Sequence, residues 1–199
     1  MEAVTGTATT GAAPPAGAPA RRRRLPGDPD AAAGIDRILR VDQAGEYGAC
    51  RIYAGQMAVL GRSACAPTLA AMAAQERRHL ERFNELLVER RARPTALQPL
   101  WHLAGFALGV GTALLGERAA MACTVAVEEV IDEHYRAQAS ALGEREPALK
   151  SVIEEFRRDE AAHRDEGLAH GAEQTPGYEL LTGAIKAGSR LAIWLSTRL

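Results

Sequence analysis

The sequence predicts an all-α fold, a four-helix bundle with additional apolar helical segments, and three observations carry that prediction. Apolar residues make up 47% of the 199 residues but aromatics only 5%, which suits helices packed through Ala and Leu better than a β-sandwich. After Gly34 the prolines thin out to positions 67, 94, 99, 147 and 176, leaving uninterrupted stretches of helical length. None of those stretches alternates apolar and polar residues as a half-buried strand would. Ala and Arg recur everywhere and only residues 150 and 186 are lysines, so raw alanine propensity is discounted as partly a coding bias.

Taken in order, residues 1–33 are an Ala/Pro/Arg-rich stretch around Arg21, Arg22, Arg23 and Arg24, expected to be a disordered tail. It lacks the apolar run of a secretory signal. An organellar transit peptide is the alternative, weakened by five prolines that spoil an amphipathic helix. Residues 34–199 are expected to form one domain. Its first helix runs from about 35 to 61, where Gly61-Arg62-Ser63 and Pro67 break it. The second spans about 67 to 92 and ends in an Arg-rich turn before Pro94. A long third helix is expected from about 99 to 142, closed by Gly143 and Pro147. The fourth covers about 146 to 171, and the last about 177 to 198 after the turn signal Thr175-Pro176-Gly177.

Two stretches differ from the rest. From Pro94 to Gly116 no residue carries a formal charge, a length that could span a bilayer. His102 and glycines at 105, 109, 111 and 116 argue against a plain span, so an interfacial segment, a stretch of bundle core and a true span all stay open. After Glu179 there is no acid, and Lys186, Arg190 and Arg198 punctuate an apolar run ending Ile193-Trp194-Leu195. That pattern is a basic amphipathic helix, suited to a membrane surface or to closing the bundle.

Charge and cysteine content narrow the function classes. The formal net charge of -1 argues against a dedicated nucleic-acid binder. Cys50, Cys65 and Cys123 form no C-x-x-C pair and leave an odd thiol, so neither a disulfide framework nor a zinc ribbon is indicated.

The chemistry lies in a carboxylate and histidine pattern. Glu76-x-x-His79 and Glu160-x-x-His163 each place a carboxylate and an imidazole on one helix face. A single pair of this kind arises readily by chance. Here Glu46 precedes the first pair by 30 residues and Glu128 the second by 32, so the chain reads as a duplicated helix pair. This is the ligand pattern of ferritin-like di-iron carboxylate bundles. Four acids aimed into one core repel each other and lose hydration, and two divalent cations would compensate them. Oxygen donors with one imidazole per metal suit iron or manganese. Glu76 and Glu160 are the natural bridging carboxylates, with Glu46 and Glu128 terminal.

Spacing alone leaves open whether Glu128 or Glu129 faces inward. It also leaves open whether Asp42, Asp159 and Asp165 accept hydrogen bonds from the histidine rings or are surface acids. His134 and Tyr135 fall two turns after Glu128, as a proton or electron relay or as ordinary packing.

Longer motifs carry a resemblance. Val41 to Ala49 (VDQAGEYGA), Arg51 to Gln56 (RIYAGQ), Ala120 to Glu129 (AMACTVAVEE), Phe156 to Gly167 and Ala192 to Ser196 resemble the signature segments of the 5-demethoxyubiquinone hydroxylase family, membrane-associated ferritin-like di-iron proteins. The resemblance covers about residue 35 to the C-terminus. It implies metal ligands Glu46, Glu76, His79, Glu128, Glu160 and His163, choosing Glu128 over Glu129. The departures are Gln43 where many relatives have His, a shorter Glu128 to Glu160 interval than in some, and a tail with no counterpart.

The resemblance implies hydroxylation of the ring of a polyprenylated ubiquinone precursor, 5-demethoxyubiquinone, by O2 at two iron ions. One oxygen atom goes to the ring and one to water, with NADH as the expected reductant. The chain shows no dinucleotide fingerprint. Implied partners are the quinone, a membrane surface, other proteins of ubiquinone synthesis and a homo-oligomer. The implied place is the cytoplasmic face of a bacterial inner membrane, or the matrix face of the mitochondrial inner membrane in a eukaryote. Two rivals remain at this stage: a soluble ferritin-like or rubrerythrin-like protein handling iron or peroxide, and a non-enzymatic helical membrane adaptor.

Overall fold

A computed structural model describes residues 31–199, with side chains from residue 33. The expected disordered or transit tail therefore lies, up to residue 30, outside the described residues. The described chain is all helical, without a strand among those residues: α1 (Ala31–Leu60), α2 (Ala66–Arg90), α3 (Gln98–Leu114), α4 (Glu117–Leu142), α5 (Pro147–Ala169), a short 3-10 turn (Ala172–Gln174) and α6 (Tyr178–Ser196). Helix α1 starts at Ala31, before the position 34 expected for the domain.

The single long helix expected over 99–142 is two helices. Gly116 adopts φ 111°, a backbone that only glycine takes without strain, and the chain turns there between α3 and α4. The uncharged run hides this break, because a lone glycine among four reads as a tolerated helix residue. The turn lets α3 lie along α1 while α4 enters the core and pairs with α5; α2 packs on α1, and α6 on α4.

The α1/α3 seam is glycine-built. A Cβ on Gly109 would sit 2.0 Å from the Ile52 carbonyl oxygen, and one on Gly55 would sit 2.3 Å from that of Phe106. The glycines that argued against a plain membrane span thus have a packing reason. Gly109→Ala is expected to cost about 3 kcal/mol through backbone displacement, seen as a melting point lower by about 6–12 °C. An unchanged melt would show that the seam does not need this close approach.

Two apolar clusters cap the bundle interior. Leu39, Phe83, Tyr135, Ile153 and Phe156 pack at one end, and Tyr53, Leu69, Met72, Met121 and Val125 at the other. Among the described residues no helix is long and apolar enough to cross a membrane, so the span reading of 94–116 is dropped. The reason is geometric: α3 has only 17 residues, and its glycine face is spent on α1.

Candidate metal centre

Four helices each turn one carboxylate into the middle of the bundle. Glu46 comes from α1, Glu76 from α2, Glu128 from α4 and Glu160 from α5, and all four are 2% exposed or less. His79 and His163, one turn after Glu76 and Glu160, reach the same point and are also buried. Ligand atoms of Glu46, Glu76, His79 and Glu160 lie within 4.8 Å of one another, and so do those of Glu76, Glu128, Glu160 and His163. Glu76 and Glu160 belong to both groups.

The unpaired polar atoms of this core suit a pair of cations. Glu46 Oε2, both oxygens of Glu76, His79 Nδ1, Glu128 Oε2, both oxygens of Glu160 and His163 Nδ1 are buried without a hydrogen-bond partner. Orphaned atoms are rare in native interiors, and eight of them at one point require something to accept their lone pairs. Six are carboxylate oxygens and two are imidazole nitrogens, three oxygens and one nitrogen for each of two sites, a donor set that suits iron or manganese. His79 Nδ1 lies 3.0 Å from Glu160 and 3.5 Å from Glu46, and His163 Nδ1 lies 3.0 Å from Glu76. These nitrogens and oxygens converge at ion-pair distance on the same two points.

The electrostatics agree. Burial pushes the carboxyls of Glu76 and Glu128 well above the usual range, and the charge of Glu160 adds to it; Glu46 is raised for the same first reason. Burial would also raise Glu160, but His163 and His79 outweigh it and hold that carboxyl at about 2. Burial alone would lower the two imidazoles. The surrounding carboxylates reverse this, pushing His79 up to about 10 and His163 to about 9. Without metal the cluster keeps protons on its carboxyls and imidazoles in place of cations, and two dications binding there would displace them.

Around the six, the structure sorts the remaining candidates. Asp159 Oδ2 lies 3.0 Å from His79 Nε2, turning that ring's Nδ1 towards the carboxylates. Gln75 Oε1, not singled out in the sequence, lies 3.3 Å from His163 Nε2 in the equivalent place. Asp42 is buried but serves neither histidine of the cluster; it accepts from Gln138 (2.7 Å) and meets His134 Nε2 (3.2 Å). Asp165 is bound by Arg164 on the surface. Tyr135 donates to Glu46 rather than to Glu128 on its own helix. Tyr53, also missed in the sequence, donates to Glu128 at 3.4 Å. Burial raises both phenols far above their ordinary range, so both keep their protons. Gln43 is buried and bonds Asn84.

Beside the carboxylates is a cavity of about 540 Å³ between α1, α3, α4 and α6. Gly45 and Val127, the chain neighbours of Glu46 and Glu128, line it, as do Gly48, Leu108 and Ile185. Its size is that of a small-molecule site, and its wall is almost wholly apolar. The outer faces of the two helices that cover it carry exposed Leu100, Leu103, Leu180, Leu191 and Trp194.

Residues 33–196 match the family described as ubiquinone biosynthesis protein COQ7. The chain is 64% identical over 176 residues to the 3-demethoxyubiquinol 3-hydroxylase of Rhodospirillum rubrum, covering 88% of this chain and 83% of that one. It is 57% identical over 171 residues to the human mitochondrial NADPH-dependent 3-demethoxyubiquinone 3-hydroxylase, covering 84% and 79%. To the mitochondrial 5-demethoxyubiquinone hydroxylase of Saccharomyces cerevisiae it is 43% identical over 185 residues, covering 84% and 79%.

Proposed function

The chain belongs to the COQ7 family of ubiquinone biosynthesis proteins, a family of hydroxylases, and on that premise we propose how its residues perform the reaction. The substrate is demethoxyubiquinone, as the relatives' names give it, and the reaction adds one hydroxyl to its ring with O2. In a ferritin-like bundle Glu46, Glu76, His79, Glu128, Glu160 and His163 would hold two iron ions, Glu76 and Glu160 belonging to both donor groups. Two ferrous ions bound there would supply the electrons with which triplet dioxygen can react with a closed-shell ring. One oxygen atom enters the ring and the other leaves as water.

The protein's own contribution is placement. Gly45 and Gly48 thin the α1 wall of the cavity, leaving room there for a flat ring. Val127, Ile131 and Ile185 exclude water from that approach. The prenyl tail leaves between α3 and α6, whose exposed leucines and Trp194 rest on a membrane surface with Arg198 at hand for anionic headgroups, while Lys186 and Arg190 pair with Glu129 and Glu133 of α4. The reductant is a nicotinamide; NADH was the expectation, and the human and mouse relatives are named for NADPH.

The observation that carries this reading is the set of eight unpartnered donor atoms beside an apolar cavity of ligand size. The iron-storage or peroxide rival shares the donors but has no use for the cavity, and the family relatives are hydroxylases. An anaerobic ferrous titration, then oxygen, demethoxyubiquinone in phosphatidylcholine vesicles and NADPH or NADH, tests it. Two irons per chain and a quinone one oxygen atom heavier are expected. Oxygen consumed with the quinone unchanged would favour the rival, and no iron bound would overturn the metal centre.

A further inference from the structure

The duplicated helix pair repeats more than its ligands. Seven residues after Glu46 stands Tyr53, followed three later by Gln56; seven after Glu128 stands Tyr135, followed three later by Gln138. All four residues are buried. Each reaches across to the other helix of the pair. Tyr53 of α1 donates to Glu128 Oε1 of α4, and Tyr135 of α4 donates to Glu46 Oε1 of α1. Gln56 donates to the Ala120 carbonyl of α4 at 3.0 Å, and Gln138 to Asp42 of α1 at 2.7 Å. Glu-x6-Tyr-x2-Gln is thus a crossed brace, written twice.

The brace acts on the terminal carboxylates alone. Glu46 and Glu128 each have one oxygen engaged by a tyrosine and one left unpartnered, whereas both oxygens of Glu76 and Glu160 are free. Two phenols that needed only a partner for burial would be satisfied by any nearby acceptor. These two divide four carboxylates into two that can offer a single oxygen and two that can offer both.

We propose that Tyr53 and Tyr135 are positioning residues that hold Glu46 and Glu128 to one-oxygen ligation, so that each metal keeps a position open for an outside ligand. This rests on the metal reading above. A free second oxygen on Glu46 or Glu128 would swing onto the metal and fill that position. Tyr135 makes the larger contribution, because the Tyr53 hydroxyl is shared with Met72 Sδ at 3.3 Å.

Tyr135→Phe and Tyr53→Phe keep the rings that pack in the two clusters and remove only the hydroxyls. The protein is loaded with cobalt(II), and azide is titrated against its visible absorption. Both variants are expected to bind two cobalt ions, as the wild type does, and azide affinity to fall about tenfold in Tyr135→Phe and less in Tyr53→Phe. Two cobalt ions bound with wild-type azide affinity and spectrum in both variants would overturn the proposal while leaving the metal centre standing. A wild-type chain that binds no metal would instead overturn the reading beneath it. Should Tyr135→Phe fail to fold, judged by its circular dichroism melt, Tyr53→Phe carries the same prediction alone.

Discussion

Glu76→Leu is expected to abolish hydroxylation and at the same time to make the metal-free protein more stable. Glu76 is fully buried, shared by both ligand groups, and has no hydrogen-bond partner for either oxygen. Losing a shared ligand removes one donor from each site. Metal stabilisation worth several kcal/mol then disappears, so turnover should fall by a factor of about 10³ or more. Without metal the same carboxyl is a liability: burial, reinforced by the charges of Glu160 and Glu46, holds it protonated well above its ordinary range. Replacing it with a leucine of similar volume relieves that cost, and the metal-free chain should gain about 1–4 kcal/mol. The checks are iron content, turnover and the melting point after chelation. Retained iron with near-normal turnover would sink the assignment of Glu76 as a shared ligand. A lower metal-free melting point would show that its carboxyl has a structural role apart from metal.

The opposite signs explain why this site was legible in the sequence. Helical carboxylates normally face water, so a register of Glu, Glu-x-x-His, Glu, Glu-x-x-His has no packing reason and stands out on charge alone. The choice of Glu128 over Glu129 was not legible by phase; Glu128 is buried, whereas Glu129 is paired to Lys186 on the outer side. Tyr53 and Gln75 were passed over because a lone tyrosine or glutamine in a helix reads as packing or surface. The signal that would have found Tyr53 was the seven-residue interval it shares with Tyr135. The break at Gly116 was hidden for a different reason: what decides it is the lie of α3 against α1, a tertiary fact with no local mark beyond one glycine. Asp42 shows the limit from the other side. The sequence left it open as a partner for a ligand histidine or a surface acid; it is buried, and the histidine it meets, His134, comes from α4, 92 residues away.

The cavity was legible only in part: the two apolar stretches set apart in the sequence became α3 and α6, which cover it, but its wall is assembled from four helices, and it gives the second large effect. A Cβ on Gly48 would meet nothing within 4 Å, and Gly48 lines the cavity, so a side chain there enters the space offered to the ring rather than a neighbouring helix. Gly48→Ala should raise stability by about 0.5–1 kcal/mol, because alanine restricts the unfolded chain and favours helix, with most of the activity retained. Gly48→Leu should keep that stability and bind two irons, yet lower turnover about 10²-fold or more, because a ring displaced by even 1 Å from its reacting position loses about that much. The loss should appear with iron content unchanged, which separates it from Glu76→Leu, where metal and activity go together. Stability that falls with Gly48→Leu would mean that the side chain has been forced against α3 instead of into the cavity. Turnover at the wild-type rate with two irons bound would place the substrate elsewhere on the bundle, and the cavity would then need another occupant.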